Sequence, residues 1–313
     1  MITVLTGGTG GAKFVQGLVR VIAPEELTVI VNTGDDLTWW GLHVSPDVDS
    51  ILYALAGLLS RERGWGVEGD TFTCMERMRR LGAPSWFQLG DRDLATHLRR
   101  TELLASHTLA EATAELASEM GLHTCILPMS NDRVETCVLT PGGELTFQQY
   151  FVRERYRVPA TGVRFSGAER AQPAPGVIAA IRDADAVLIA PSNPVTSIGP
   201  ILSVPGIRDA LRETTAQIAA VSPIVGGAAV SGPAGELMKA QHLPVSMAGV
   251  AEAYADFLDI LIADTADRLA PVSDPCDVRT VFTNTIMSTD DAKAELARVA
   301  IASVMPAGAL KPQ

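Results

Sequence analysis

The opening segment ITVLTGGTGGAKF, residues 2–14, sets four glycines between an apolar, β-branched run and a helical pattern. Ile2 to Leu5 reads as a buried strand, and Ala12 to Ile22 carries apolar residues at helical spacing. A glycine-rich strand-to-helix turn lets a ligand approach the backbone closely, and amides at a helix start favour an anion, typically phosphate. The turn is therefore a phosphate-binding candidate, with Lys13 as a further phosphate partner. The same glycines also serve close packing of the helix on its strand.

Two cofactor fingerprints fail here. In a dinucleotide G-x-G-x-x-G, Gly8 and Gly10 fit but Lys13 occupies the third glycine position; in a P-loop, Gly7 requires a glycine where Ala12 stands. A nicotinamide dehydrogenase is accordingly disfavoured. A chain of 313 residues that is 47% hydrophobic has material for one large α/β domain or two smaller ones. Its formal net charge of -11 argues against broad nucleic-acid or acidic-membrane binding and confines phosphate recognition to a pocket. Cys74, Cys125, Cys137 and Cys276 form no C-x-x-C pair, so neither zinc nor a disulfide framework is suggested. No apolar run reaches membrane-spanning length and none reads as a signal core, so a soluble cytoplasmic protein is expected.

Leu27 to Asn32 reads as a second parallel strand entering NTGDDLTWWGLHVSPDVDS, a loop rich in acids. In open α/β sheets ligands gather beyond the carboxyl ends of strands, which brings Asp35, Asp36, Asp47 and Asp49 to the glycine turn. Pro46 suits a helix start, so Asp47 and Asp49 fall in a first turn, where the helix dipole favours acids whatever the function. Residues 71–120 look helical, with a break at LGAPSWFQLGDRD; Asp91 is expected to cap the helix that follows, leaving Arg92 in its first turn in need of an anionic or hydrogen-bonding partner. Residues 122–152 read as strands turning at TPGGE. The α/β rhythm resumes at DADAVLIAPSNPVTSIGPIL, whose Pro-Ser-Asn turn is a second candidate cradle, and continues through QIAAVSPIV, FLDILIAD and RTVFTNTI to a helix over 288–300. The expected architecture is one α/β domain over 1–313, with a Rossmann-like, mostly parallel sheet, helices on both faces, and a helical and hairpin insertion over roughly 60–170 serving as lid or substrate wall.

The motifs TGGTGGAKF, VNTGDD, GLHVSPDVDS, RGWGVEGDTF, WFQLGDRDLATHLRRT and IAPSNPVTSIGPIL together closely resemble the 2-phospho-L-lactate transferase family of coenzyme F-420 biosynthesis, over nearly the whole chain. The resemblance implies transfer of a phospho-acid moiety, 2-phospholactyl or phosphoenolpyruvyl, from a guanosine-diphosphate-activated donor to the ribityl hydroxyl of the deazaflavin Fo, releasing GMP, with Mg2+ as cofactor and a homodimer as the assembly. It implies that Asp49 lies in the deazaflavin and metal region, with Asp35 its metal-site companion and Arg92 a deazaflavin contact. It further implies a nucleotide cradle on Gly8, Thr9, Gly10, Gly11, Lys13, Ser192 and Asn193. The competing reading is a nucleotide-sugar-binding regulatory protein without catalysis, against which SPDVDS and LGDRDLATHL speak.

The chemistry suits these residue types. Attack of a hydroxyl on a diphosphate needs charge neutralisation on the phosphorus oxygens, in-line positioning and a proton acceptor. A hard cation held by one or two carboxylates, here Asp35 and Asp49, keeps room for phosphate oxygens, and Asp49 is also the expected base for the hydroxyl. Trp39, Trp40, Trp65, Trp86 and Phe87 lie in the same segments and offer a wall for a flat tricyclic ring, or core packing.

Overall fold

A computed structural model describes residues 1–269 and 278–305. In chain order the first half contains β1 (Ile2–Thr6), α1 (Gly8–Leu18), β2 (Leu27–Val31), β3 (Leu37–Trp39), β4 (Leu42–Val44), α2 (Pro46–Leu55), α3 (Thr73–Arg80), α4 (Asp91–Leu103), α5 (Leu109–Glu119), β5 (Cys125–Pro128), β6 (Glu135–Thr140), β7 (Gly143–Thr146) and β8 (Gly162–Ser166). The second half follows with α6 (Val177–Arg182), β9 (Ala186–Ile189), α7 (Gly199–Ser203), α8 (Ile207–Glu213), β10 (Gln217–Val221), β11 (Ile224–Val225), β12 (Ala228–Ala229), α9 (Ala234–Ala240), α10 (Met247–Ala253), β13 (Ile260–Asp264), β14 (Arg279–Thr283) and α11 (Asp290–Val304).

Seven strands form one all-parallel sheet in the order β14-β13-β10-β9-β1-β2-β5. β1 lies within it, flanked on both sides, with Ile2 opposite both Leu27 and Ala186. Its buried side chains alternate between two cores, as a strand period of two requires. Val4, Val29, Leu188, Ala219 and Ile262 pack with α1, α2, α5 and α11 on one face. Leu5, Ile30, Ile189, Ala220 and Leu261 pack with α6, α7, α8, α9 and α10 on the other. Helices thus cover both faces, as expected.

Counted along the sheet, the strands run in the doubly wound order, and the order reverses between β1 and β9. The turns leaving these two strands are the glycine turn and the Pro-Ser-Asn turn. The sheet therefore sets the two sequence-predicted cradles side by side at its switch point.

The expected insertion over 60–170 is interrupted by β5, which pairs with β2 in the main sheet, Val29 opposite Ile126. A helical excursion, α3 and α4, precedes it, and the antiparallel sheet β7-β6-β8 follows it. Thr136 N donates to Gly34 O at 2.7 Å and Gln148 Nε2 to Asp35 O at 3.2 Å, so the small sheet braces the acid loop after β2.

Asp91 does not cap the helix it begins. Its carboxylate accepts from Thr73 N and Cys74 N at the start of α3, while Asp70 accepts from Arg92 N and Asp93 N at the start of α4. Each helix is capped by an acid from the other segment, which locks two short elements together. Cys74, Cys125 and Cys137 are free thiols, and Cys276 lies outside the described residues.

Candidate active site

The glycine turn enters α1 with Gly7 as its N-cap and Gly8 at φ +69°. Helix α1 starts inside the glycines, at Gly8 rather than Ala12, and these positions lie against backbone and polar groups on three sides. A Cβ on Gly11 would sit 1.8 Å from Thr6 Oγ1, one on Gly10 2.8 Å from Pro191 O, and one on Gly7 2.5 Å from Asp47 Oδ2. The glycines pack the helix closely on its strand, and they admit the Asp47 carboxylate to the backbone. Thr9 and Lys13 are exposed along the same helix, and Lys13 has no ion-pair partner among the described residues.

Ser192 joins the two turns. Its hydroxyl donates to Gly7 O at 2.7 Å, and Gly7 N lies 3.2 Å from the same oxygen. Asn193 Oδ1 accepts from Val195 N at 2.9 Å and so caps the wide turn over Pro194–Ile198 that leads into α7. Both residues stand at the expected crevice and hold its walls in place.

Asp47, on the first turn of α2, reaches into the glycine turn. Asn32 Nδ2 donates to its Oδ2 at 2.9 Å and to Thr196 O at 3.3 Å, while Gly34 N donates to Asn32 Oδ1 at 2.8 Å. Asn32, missed in the sequence, is the buried hub linking β2, α2 and the second turn; its only signal is its position before the acid pair. Asp35 lies beside Asp47. Burial, then the charge of Asp47, pushes the Asp35 carboxyl well above the usual carboxylate range. Burial raises Asp47 to about 6, with Asn32 and the Gly8 backbone holding it down. Asp35 Oδ1 and the hydroxyls of Thr6, Thr136 and Thr196 are buried without hydrogen-bond partners among the described residues. Two crowded acids and unpartnered oxygens beside a helix N-terminus are groups that would fit a hard cation and an anionic ligand.

Asp49, two residues further along α2, faces away from this cluster. Arg100 of α4, wholly buried, grips both its oxygens: Nη1 donates to Oδ2 at 3.0 Å and Nη2 to Oδ1. His97 Nδ1 lies 3.5 Å from Asp49 Oδ2, His97 Nε2 lies 3.2 Å from Asp93 Oδ1, and Tyr53 Oη donates to Asp93 at 2.7 Å. The acid paired with Asp35 is therefore Asp47, and Asp49 belongs to a buried network joining α2 to α4. A carboxylate whose two oxygens are both gripped by a guanidinium has little freedom to bind a metal.

Asp36 is tied to the β3–β4 hairpin, accepting from Ser45 Oγ at 2.7 Å and lying 3.0 Å from His43 Nε2. Burial raises its carboxyl, and His43 restrains the rise. Arg92 projects from the start of α4 and donates to Glu68 O at 2.9 Å, a partner distinct from the neighbouring acids. Trp39 meets Trp86 edge-on at 4.8 Å and Phe87 at 5.9 Å, forming a small core beneath the hairpin, while Trp65 packs against Phe72 with Arg63 over both rings. The aromatic residues thus form two separate groups. Among the described residues no three His, Cys, Asp or Glu side chains form a metal cluster, a requirement that magnesium bound through phosphates does not impose.

Known proteins are similar in sequence to this chain over nearly its whole length. Residues 2–300 match the family model described as 2-phospho-L-lactate transferase CofD. The chain is 44% identical to the 2-phospho-L-lactate transferase of Methanothermobacter thermautotrophicus over 306 residues, covering 97% of this chain and 98% of that protein. It is 42% identical to the phosphoenolpyruvate transferase of Kitasatospora aureofaciens, covering 96% and 97%. The fold also resembles a crystal structure of a UPF0052 family member from Bacillus halodurans, with a TM-score of 0.64, 17% identity and coverage of 96% and 98%.

Proposed function

This chain belongs to the 2-phospho-L-lactate transferase family, an enzyme family of coenzyme F-420 biosynthesis, and from that premise we propose how its crevice carries out the transfer. The donor is a guanosine-diphosphate-activated phospho-acid, 2-phospholactyl or phosphoenolpyruvyl. The acceptor is the ribityl hydroxyl of Fo. Relatives of both acid types stand at 42–44% identity, so overall similarity does not divide the two.

The diphosphate is seated at the start of α1, on the backbone of Gly8, Thr9, Gly10 and Gly11, with Lys13 neutralising an outer oxygen. Ser192 and Asn193 keep the facing turn at the distance this requires. Asp35 and Asp47 would hold Mg2+, which when bound supplies charge neutralisation on the diphosphate oxygens. The observation that carries this assignment is the unpartnered Asp35 Oδ1 beside the Asp47 carboxylate. The ribityl oxygen forms a bond to the phosphorus bearing the acid, the bridging P–O bond breaks, and GMP leaves with its electron pair. The hydroxyl proton passes to a carboxylate oxygen of Asp47, the acid that reaches the glycine turn from the first turn of α2. Asp49 positions α2 through Arg100, and Arg92, at the rim, contacts the deazaflavin.

The test is mass spectrometry of a reaction holding the protein, Fo, Mg2+ and guanosine-diphosphate derivatives of phospholactate, phosphoenolpyruvate and phosphoglycerate in competition. A product heavier than Fo by one phospho-acid unit is expected and identifies the donor. No product from any donor, despite nucleotide binding, overturns the reading. No helix among the described residues is long and apolar enough to cross a membrane; we propose a cytoplasmic homodimer, a state sedimentation measures directly.

A further inference from the structure

The four acids of the loop after β2 and the first turn of α2 are held in two different ways. Asp36 has the His43 imidazole and the Ser45 hydroxyl on its carboxylate, and Asp49 has the Arg100 guanidinium on both oxygens. Asp35 and Asp47 have no basic partner among the described residues. Side-chain amides hold them instead. Asn32 Nδ2 donates to Asp47 Oδ2 at 2.9 Å, and Gln148 Nε2 donates to the main-chain oxygen of Asp35 at 3.2 Å.

The two kinds of partner differ in what they leave behind. A guanidinium or imidazolium fixes a carboxylate by supplying the counter-charge, and so takes the part a metal ion would play. An amide is neutral: it fixes the direction of the acid and supplies no counter-charge. Asn32 is wholly buried, and its amide can point only one way. Its NH2 group meets Asp47 Oδ2 and Thr196 O, which only accept, and its oxygen meets Gly34 N, which only donates. Its backbone N donates to Thr6 O at 2.9 Å, tying it to the end of β1. One side chain therefore sets Asp47, the turn that carries Asp35 and the Pro-Ser-Asn turn at fixed distances. Gln148, buried in the segment after β7, reaches the same loop from 113 residues away. No described side chain donates to Asp47 Oδ1, which leaves that oxygen for a cation.

We propose that Asn32 and Gln148 are positioning residues, neutral amides that aim the Asp47 and Asp35 carboxylates at one cation without neutralising either. This rests on the assignment of Mg2+ to Asp35 and Asp47, and it adds what separates these two acids from Asp36 and Asp49. The latter pair already have basic partners.

Calorimetry with Mg2+ alone, paired with steady-state kinetics, tests it on the parent chain, Asn32→Ala, Gln148→Ala and Ser45→Ala. Ser45 is as buried as Asn32 and gives its hydrogen bond to Asp36, outside the pair. Asn32→Ala is expected to weaken Mg2+ about tenfold or more, the usual loss when the residue orienting a metal ligand is removed. Gln148→Ala, which releases only the main chain of Asp35, is expected to weaken it by a smaller factor, and Ser45→Ala to leave it unchanged. The KM for Fo is expected to stay within about twofold throughout. Mg2+ affinity equal to the parent's in the folded amide variants, or an equal loss in Ser45→Ala, overturns the proposal. So does a matching rise in the KM for Fo, which makes the amides general supports of the crevice. If Asn32→Ala does not fold, Gln148→Ala decides alone. Failure of the transfer reaction is separate: a parent chain whose Mg2+ binding depends on Asn32 yet transfers nothing keeps the role of the amides and removes the proposed function. Transfer by the parent with unchanged Mg2+ affinity in both amide variants does the reverse.

Discussion

Arg100 and Asp49 form a two-pronged ion pair between α4 and α2, with the guanidinium wholly buried and the carboxylate almost so. The pair fixes the first turn of α2, and with it the direction in which Asp47 enters the glycine turn.

Breaking that pair from one side leaves a buried charge uncompensated. Asp49→Asn is expected to destabilise the fold by about 3–5 kcal/mol, and Asp49→Leu with Arg100→Met to restore most of the loss. Thermal melts of the three proteins check this. An Asp49→Asn protein that melts like the parent but has lost its turnover would make Asp49 the proton acceptor instead.

Asp47 presents the opposite case, a carboxyl whose burial favours its neutral form. Its folded value of about 6 stands above the ordinary 3.8, so the unfolded chain ionises first as pH rises. Between these values the folded state binds the extra proton, and stability falls with rising pH by about 3 kcal/mol in the metal-free protein. Asp47→Asn is expected to flatten that dependence, to raise Tm at neutral pH without metal, and to abolish transfer. Denaturant melts at pH 5 and 7.5 decide it: a slope unchanged in the variant refutes the assignment.

At the proposed site Mg2+ would compete with protons for Asp35 and Asp47. Affinity for the ion is expected to drop as pH falls below about 6, and stabilisation by saturating Mg2+ to vanish in Asp35→Asn. Tm measured with and without Mg2+ across pH reads this directly. Stabilisation that survives in Asp35→Asn would place the ion elsewhere.

Gly11 has no room for a methyl group, since a Cβ there would fall 1.8 Å from Thr6 Oγ1 and 2.9 Å from Ser192 Oγ. Gly11→Ala is expected to destabilise by about 1–3 kcal/mol, and Thr6→Ala in the same chain to recover part of it. Equal melting of Gly11→Ala and the parent would show that β1 and α1 are not packed this closely.

Arg92 lies on the surface, and its side chain holds only the Glu68 carbonyl among the described residues. Arg92→Ala is expected to leave Tm within about 1 °C and to raise the KM for Fo about tenfold, a loss in the range of one charge-assisted hydrogen bond. Unchanged KM would remove Arg92 from the acceptor site.

Local pattern made much of this fold legible. The β-branched runs at residues 2–5 and 186–190 bury both faces and can only be inner parallel strands, and a glycine turn after the first marks the ligand end of the sheet. Asp35 is legible as a candidate site acid because it follows β2 within four residues, so chain geometry alone carries it to the carboxyl end of the sheet. Asp47 and Asp49 were not separable, since both sit in one helical turn and the dipole favours either; only the position of Arg100, 51 residues away from Asp49, decides which of them is neutralised. The caps exchanged by Asp70 and Asp91 escaped for the same reason. Sequence determined the strands, their order of appearance and the chemistry available, because those follow from periodicity and residue type within a few positions. Tertiary structure decided which acids meet and which are paired away, because a charge buried beside a distant partner is set by packing across elements and leaves no local signature.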